Sequence, residues 1–334
     1  MQFKEVPEPK ITSNNDVLIK ITRVGVCGSD IHYYKSGKIG DQVIRYPFTL
    51  GHESAGIIEK AGKDVTDFKP GDRVAIDPAM PCWKCDQCLA GRHHTCRNLK
   101  FLGNPGQAEG CLSEYIVMPD TSCYHIPDNL SYDQAVASEP LAIGIYAVKK
   151  SKPAEDIKIG ILGFGPIGMS VMLSAMHFNI KDIYVTDKVD ERLKMAEKSG
   201  ASWSGNPDKL NVVSEIHNLE PLLLDVVFEC CGKQEAIDQA IDLLKPGGKL
   251  VIIGIPDFNR WSFSVDKTRR KEITIQNIRR QVDCTQLALD LIVNKINAAS
   301  MITHHFKFED TEKAYEMVSN YNDGVMKAII CFDT

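Results

Sequence analysis

The sequence predicts a mixed α/β protein in two parts, a β-rich lobe followed by a doubly wound parallel sheet flanked by helices. Three observations carry this. The chain has 334 residues, enough for about two domains at roughly 150 residues each. Near residue 143 its texture changes from short strands broken by Gly, Pro and Asp turns to alternating strands and helices. Its composition, 43% hydrophobic and 25% charged, is that of an ordinary globular chain and excludes disorder and collagen-like or coiled-coil architecture.

Residues 1–142 make the first part. Val17-Leu18-Ile19-Lys20-Ile21 and Arg73-Val74-Ala75-Ile76 predict strands, and Lys69-Pro70-Gly71-Asp72 predicts a turn. Residues 143–279 make the second. Ile159 to Leu162 predicts a strand, Met169 to Phe178 a helix, Ile183 to Thr186 a strand and Asp190 to about Ser199 a helix. Leu224 to Phe228, a helix carrying Ile237, Ile241 and Leu244, Lys249 to Ile253 and Ile273 to Ile275 extend the series, its strands buried in one parallel sheet. Residues 280–334 hold a helix with Leu287, Leu291 and Ile292, another around Glu312 to Val318, and a strand over Ala328 to Phe332. This last segment is too short for its own core and is expected to pack back onto the first part.

Lys and Arg number 39 and Asp and Glu 44, a net charge of −5, with no long basic run. A sequence-independent hold on nucleic acid or an anionic membrane therefore lacks its electrostatic driver, and small molecules are the expected partners. Met1-Gln2-Phe3-Lys4-Glu5 has no signal-peptide pattern. The uncharged stretch from Ile159 to Met176 is broken by Gly160, Gly163, Gly165, Pro166 and Gly168, so it predicts a strand, a turn and a helix start instead of a membrane span. With no export signal, the eleven cysteines are expected in the reducing cytoplasm, where closely spaced thiols more often hold metal than form disulfides.

Cys82-x2-Cys85-x2-Cys88-x7-Cys96 sets four thiols within fifteen residues, the donor set of a closed, structural zinc site. His93 and His94 lie in the same loop, but four thiolates already saturate the metal, so both are expected to be solvated. Gly163-Phe164-Gly165-Pro166-Ile167-Gly168 follows a predicted strand and opens a predicted helix, and Asp187 stands 24 residues beyond Gly163 at the end of the next strand. The glycines permit a tight turn and the approach of a pyrophosphate to the helix N-terminus. The Asp187 carboxylate suits ribose hydroxyls and repels a 2′-phosphate, which favours NAD over NADP; Lys188 and Arg192 temper that preference. A third group is dispersed: Cys27-Gly28-Ser29-Asp30-Ile31-His32, Gly51-His52-Glu53 and Glu139-Pro140. Singly, Cys27 or His52 reads as a satisfied core residue. Together, a thiolate, an imidazole and a carboxylate make a catalytic zinc site with one open position.

Gly25 to Asp30, His32-Tyr33-Tyr34, Gly51-His52-Glu53, Lys69 to Val74, the four-cysteine lobe, Glu139-Pro140-Leu141 and Gly163 to Gly168 resemble the zinc-dependent medium-chain alcohol dehydrogenases over nearly the whole chain. Those enzymes are themselves a standard example of this metal chemistry. His32-Tyr33-Tyr34 followed by Gly37-Lys38-Ile39-Gly40 is most similar to the sorbitol and xylitol (polyol) dehydrogenase branch. The resemblance implies a GroES-like catalytic domain, a Rossmann cofactor domain, one catalytic and one structural zinc, NAD, and assembly as a homodimer or homotetramer. It implies that Cys27, His52 and Glu53 bind the catalytic zinc, with Glu139 a direct or water-bridged partner. Neighbouring side chains on a regular strand face opposite ways, so this needs irregular backbone at Gly51; otherwise Glu53 stands behind the metal and Glu139 replaces it. Asp30 would orient the His52 ring.

By the same resemblance Ser29 takes the alcohol proton and His32 passes it to solvent. Gly163, Gly165, Ile167, Gly168, Asp187, Arg192, Gly254 and Ile255 would contact NAD, and Tyr33, Glu139 and Arg280 the substrate. The implied reaction moves hydride from a secondary hydroxyl of a polyol to NAD. The sequence departs from the sorbitol enzymes at Gln281, where they carry a tyrosine after the arginine, and in starting just ahead of Val6-Pro7-Glu8-Pro9, where a strand pair is expected. Arg279-Arg280 would suit a carboxylate, so a sugar acid or hydroxy amino acid such as idonate, galactonate or threonine is the alternative substrate. A catalytically silent NAD-binding zinc protein is the alternative of another class. Cys111, Cys123, Cys230, Cys231, Cys284 and Cys331 are expected to be mostly core residues, and His304-His305 a loop.

Overall fold

The structure, a computed structural model, describes residues 1–152 and 156–332. Two compact units divide the chain: Met1–Glu139 together with the segment from Thr285 onward, and Pro140–Cys284. The first unit is built on β1 (Asp16–Gly25), in which Val17, Leu18, Ile19, Ile21 and Val24 are all buried. Both faces of the strand are covered, so it lacks the clean alternation of a half-exposed strand. It is followed by α1 (Gly28–Ser36), β2 (Glu53–Ala61), β3 (Arg73–Ile76), β4 (Tyr115–Pro119) and β5 (Cys123–His125). Then α2 (Ser138–Ser151) carries Glu139 in its first turn.

The second unit is a six-stranded sheet with every pairing parallel. Its strands are β6 (Lys158–Leu162), β7 (Asp182–Thr186), β8 (Trp203–Gly205), β9 (Leu224–Glu229), β10 (Leu244–Ile252) and β11 (Thr274–Asn277). Their order is β8-β7-β6-β9-β10-β11, so the winding reverses beside β6, at whose carboxyl end ligands of such sheets bind. There α3 (Pro166–His177) starts with a proline at its first turn, the position where a missing N–H costs nothing. Gly168, in the first turn of α3, sits so close to the turn that a Cβ on it would collide with the Gly163 carbonyl oxygen. Among the described residues no helix is long and apolar enough to cross a membrane.

The chain then re-enters the first unit with β12 (Ile302–Lys307), α4 (Thr311–Ser319) and β13 (Lys327–Cys331). β1 pairs antiparallel with β2 along one side and, on the other, with β4 over its first half and β13 over its last three residues. Gly25, at the end of β1, therefore lies opposite both Glu53 of β2 and Ile329 of β13, and Val26 N–H continues the ladder to the Ala328 carbonyl at 3.0 Å.

Four expectations are corrected. His304 and His305 belong to β12, paired with Ala328 and Ile329; an edge strand tolerates polar side chains that conceal it from an apolar pattern. His94 is buried, in a short turn of helix at His93–Thr95. Of the six remaining cysteines only Cys111, Cys123 and Cys284 are buried, Cys230 and Cys331 are half-buried, and Cys231 is exposed where β9 ends in a glycine turn. β10 also starts at Leu244, five residues ahead of the expected Lys249, because Leu244 pairs with Leu224 before the register shifts.

The close seating of Gly168 on Gly163 predicts that Gly168→Ala lowers stability by about 1–3 kcal/mol. A urea midpoint equal to that of the parent chain contradicts it.

Candidate active site

The antiparallel register of the first unit assembles a donor group from separate parts of the sequence. Cys27 caps the start of α1 just past the end of β1. His52 and Glu53 come from the entry to β2, where Gly51 has φ +93°, a conformation open to glycine and strained for other residues. His52 precedes the regular strand, so the alternation that would turn it away from Glu53 is broken. One ligand atom each of Cys27, His52 and Glu53 lies within 4.8 Å of the others, and His52 and Glu53 are buried. Asp30 ties the group together: one oxygen accepts the Cys27 N–H at 3.1 Å and the other stands 3.3 Å from His52 Nδ1. Burial pushes the His52 pKa down, but Asp30 and Cys27 outweigh it and hold it well above the ordinary value. A cation taking the imidazole must displace that proton.

Glu53 has a partner that sequence reasoning missed. Lys327, on β13, donates to both carboxylate oxygens at 2.7 and 2.6 Å and to the Val26 carbonyl at 3.2 Å. Both side chains are 1% exposed. Burial opposes the Lys327 charge, but Glu53 outweighs it and keeps the ammonium pKa above its usual value. Gly25 leaves the space this pair needs, since a Cβ there would collide with the Glu53 carboxylate. The signal is present in the sequence: Lys327 is the one charge in the run Val325-Met326-Lys327-Ala328-Ile329-Ile330, where a buried lysine needs an acid. Glu139 is also buried, and among the described residues its Oε2 has no hydrogen-bond partner. Burial, with the nearby Glu53 charge, pushes its pKa up to about 7 against the lowering pull of His52 and Lys327. A thiol, an imidazole and a carboxylate beside an orphaned carboxylate oxygen fit a divalent cation of the zinc type.

Cys82, Cys85, Cys88 and Cys96 form a second group, again with ligand atoms within 4.8 Å of one another. The Cys85 sulfur is 3.6 Å from that of Cys88 and 3.8 Å from that of Cys96. A tetrahedron with zinc–sulfur bonds of about 2.3 Å has edges of about 3.8 Å, so the thiols fit one ion. The Lys84 backbone N–H brings the Cys82 pKa down to about 6, whereas burial pushes Cys88 up to about 12.

In the second unit Gly163 has φ +95° and Gly165 caps α3. Asp187, just past the end of β7, accepts the Phe164 N–H at 2.5 Å and the Val189 N–H at 2.8 Å, so the acid also braces the glycine turn. Arg192 is buried and its guanidinium lies against Gly165. Lys188 is paired with Asp208 at 2.8 Å. Ile167 is half-buried in the first turn of α3. Gly254 and the exposed Ile255 follow β10, their backbone packed against Gly232. These groups fit a dinucleotide: a backbone cradle for a pyrophosphate and an acid for ribose.

Of the other site residues expected from sequence, Ser29 Oγ is 3.4 Å from the Cys27 sulfur and His32 is half-buried on α1. Tyr33 is 4% exposed within the core, its hydroxyl 3.2 Å from Asn104 Oδ1 and 3.3 Å from Gln42 Oε1. Arg280 is half-buried with φ +52°.

Comparison with known proteins agrees with this chemistry. Residues 13–128 match the alcohol dehydrogenase GroES-like domain, and residues 166–294 match the zinc-binding dehydrogenase domain. The sorbitol dehydrogenase of Bacillus subtilis is 34% identical over 99% of this chain and 94% of its own length. The D-xylulose reductase A of Aspergillus oryzae is 32% identical over 95% and 90%. An alcohol dehydrogenase from Escherichia coli solved with NADH superposes with a TM-score of 0.88 at 27% identity, over 98% of this chain and 94% of that one. A zinc-binding dehydrogenase from Sinorhizobium meliloti solved with NADP gives 0.88 at 29% over the same shares. The chain belongs to the zinc-dependent medium-chain alcohol dehydrogenases, in the branch that includes the polyol enzymes.

Two donor groups predict two zinc ions per chain. Cys27→Ser is expected to remove one and abolish dehydrogenase activity, and Cys88→Ser to remove the other. Metal analysis that finds one ion, untouched by Cys27→Ser, contradicts this.

Proposed function

We propose that the chain oxidises a secondary hydroxyl of a polyol of the sorbitol or xylitol kind, with NAD as acceptor and zinc as Lewis acid, to give a ketose and NADH. One observation carries the reading: a thiol, an imidazole and a carboxylate converge within 4.8 Å in a chain that also bears a glycine-rich strand-to-helix turn followed by an acid. The sorbitol and xylulose relatives support the substrate class.

Bound zinc supplies a Lewis acid for the substrate hydroxyl, and bound NAD supplies the hydride acceptor. Cys27, His52 and Glu53 would hold the cation, Asp30 fixes the imidazole, and Glu139 would be a direct or water-bridged partner. Ser29 Oγ would accept the hydroxyl proton and the His32 ring would relay it to solvent. The glycine turn at Gly163, Gly165 and Gly168, with Ile167 and Arg192, holds the pyrophosphate. Asp187 takes the ribose hydroxyls and disfavours a 2′-phosphate, and Gly254 and Ile255 border the cofactor. Arg280 donates to the polyol hydroxyls; Tyr33, with its hydroxyl engaged by Asn104 or Gln42, forms wall and is not a free donor. The catalytic domain spans residues 1–142, the cofactor domain 143–279, and 280–334 returns to the catalytic domain. Cytoplasmic location and assembly as a homodimer or homotetramer complete the reading, supported by family likeness.

A panel of sorbitol, xylitol, idonate and threonine with NAD and with NADP tests it on metal-replete protein. The polyols with NAD are expected to give a kcat/KM at least about tenfold above the acids, a difference of about 1.4 kcal/mol in transition-state stabilisation. Preferred turnover of idonate or threonine overturns the polyol assignment.

A further inference from the structure

We propose that Lys327 is an internal counter-ion that takes the place of the catalytic cation: it keeps Glu53 in the donor group when no metal is bound and thereby weakens the hold on zinc. The inference rests on the metal site proposed above. Its basis is the pairing itself. Lys327 Nζ contacts both Glu53 oxygens at 2.6 and 2.7 Å, and no other charge-bearing side chain donates to that carboxylate among the described residues. The ammonium is anchored from behind by the Val26 carbonyl, one residue before Cys27. It also acts electrostatically on Cys27 and Glu139. Lys327 therefore sets a buried ammonium directly against the Glu53 carboxylate of the donor group.

Two physical consequences follow, and they act in the same direction. Removing one member of a buried ion pair leaves the other charge uncompensated, which is strongly destabilising. Loss of the Lys327 charge must then destabilise the metal-free chain, while zinc, by binding Glu53, restores a positive partner. The same loss removes a positive charge that repels the incoming ion. Both effects tighten zinc binding relative to the folded metal-free protein. Lys327 is thus a positioning residue that trades metal affinity for a site formed before metal arrives, and it touches neither substrate nor cofactor.

The experiment compares the parent chain with Lys327→Met, Lys327→Arg and the double variant Lys327→Met/Glu53→Gln. Zinc content per chain is measured across a series of buffered free-zinc concentrations, and thermal midpoints are measured with zinc and after chelation. The four-cysteine ion serves as an internal reference. Lys327→Met is expected to bind the second zinc at least about tenfold more tightly, and its midpoint should fall more steeply after chelation than that of the parent. Lys327→Arg should stay near the parent. The double variant should recover the chelated midpoint while binding the second zinc more weakly than Lys327→Met. If Lys327→Met folds only with zinc, that also supports the proposal. An equal loss of midpoint with and without zinc, at unchanged or weaker zinc affinity, overturns it. A parent chain that takes up a single zinc overturns the underlying metal reading instead, which keeps the two failures distinguishable.

Discussion

The first unit is organised around the charge of Glu53. A carboxylate buried at the end of a β-sheet carries a desolvation cost that a positive partner offsets. Two such partners have a place here. One is Lys327, which reaches it from β13; the other is the cation proposed to sit among Cys27, His52 and Glu53. Gly25 must be glycine to leave room for the carboxylate, and Gly51 takes a positive φ so that His52 and Glu53 face one point. The antiparallel ladder that sets Gly25 between Glu53 and Ile329 is therefore also what builds the site. Packing and chemistry share the same constraint.

The second unit solves a different problem with backbone in place of charge. Its turn between β6 and α3 exposes N–H groups at a helix start, where a phosphate is favourably held. No side chain fits at Gly168 without striking the preceding turn. Asp187 accepts the Phe164 N–H, so the acid proposed for the ribose also fixes the loop proposed for the pyrophosphate. In the proposed function each unit has its own task, one polarising a hydroxyl and the other presenting a hydride acceptor.

Much of this architecture is legible in the amino-acid order alone. The parallel strands show as apolar runs because helices cover both faces, and the four cysteines stand out by their spacing. Cys27, His52 and Glu53 are legible as a set only through resemblance, since the register that joins them spans β1 and β2 and leaves no local trace. Lys327 lies three hundred residues from Cys27, and a single lysine in an apolar strand signals a buried partner without naming it. His304 and His305 are hidden for a related reason: their edge strand is polar, so periodicity gives no cue. Cys231 escapes the expectation of burial because apolar neighbours in sequence do not ensure it where a strand ends in a glycine turn.

The most direct measurement is zinc-edge anomalous diffraction from crystals of the metal-replete protein. Two peaks per chain are expected. One lies among the four cysteine sulfurs, and the other lies at about 2.3 Å from the Cys27 sulfur and about 2.0–2.2 Å from a His52 nitrogen and a Glu53 oxygen, with Lys327 on the far side of that carboxylate. A single peak confined to the four cysteines, with Glu53 still closed onto Lys327, contradicts it.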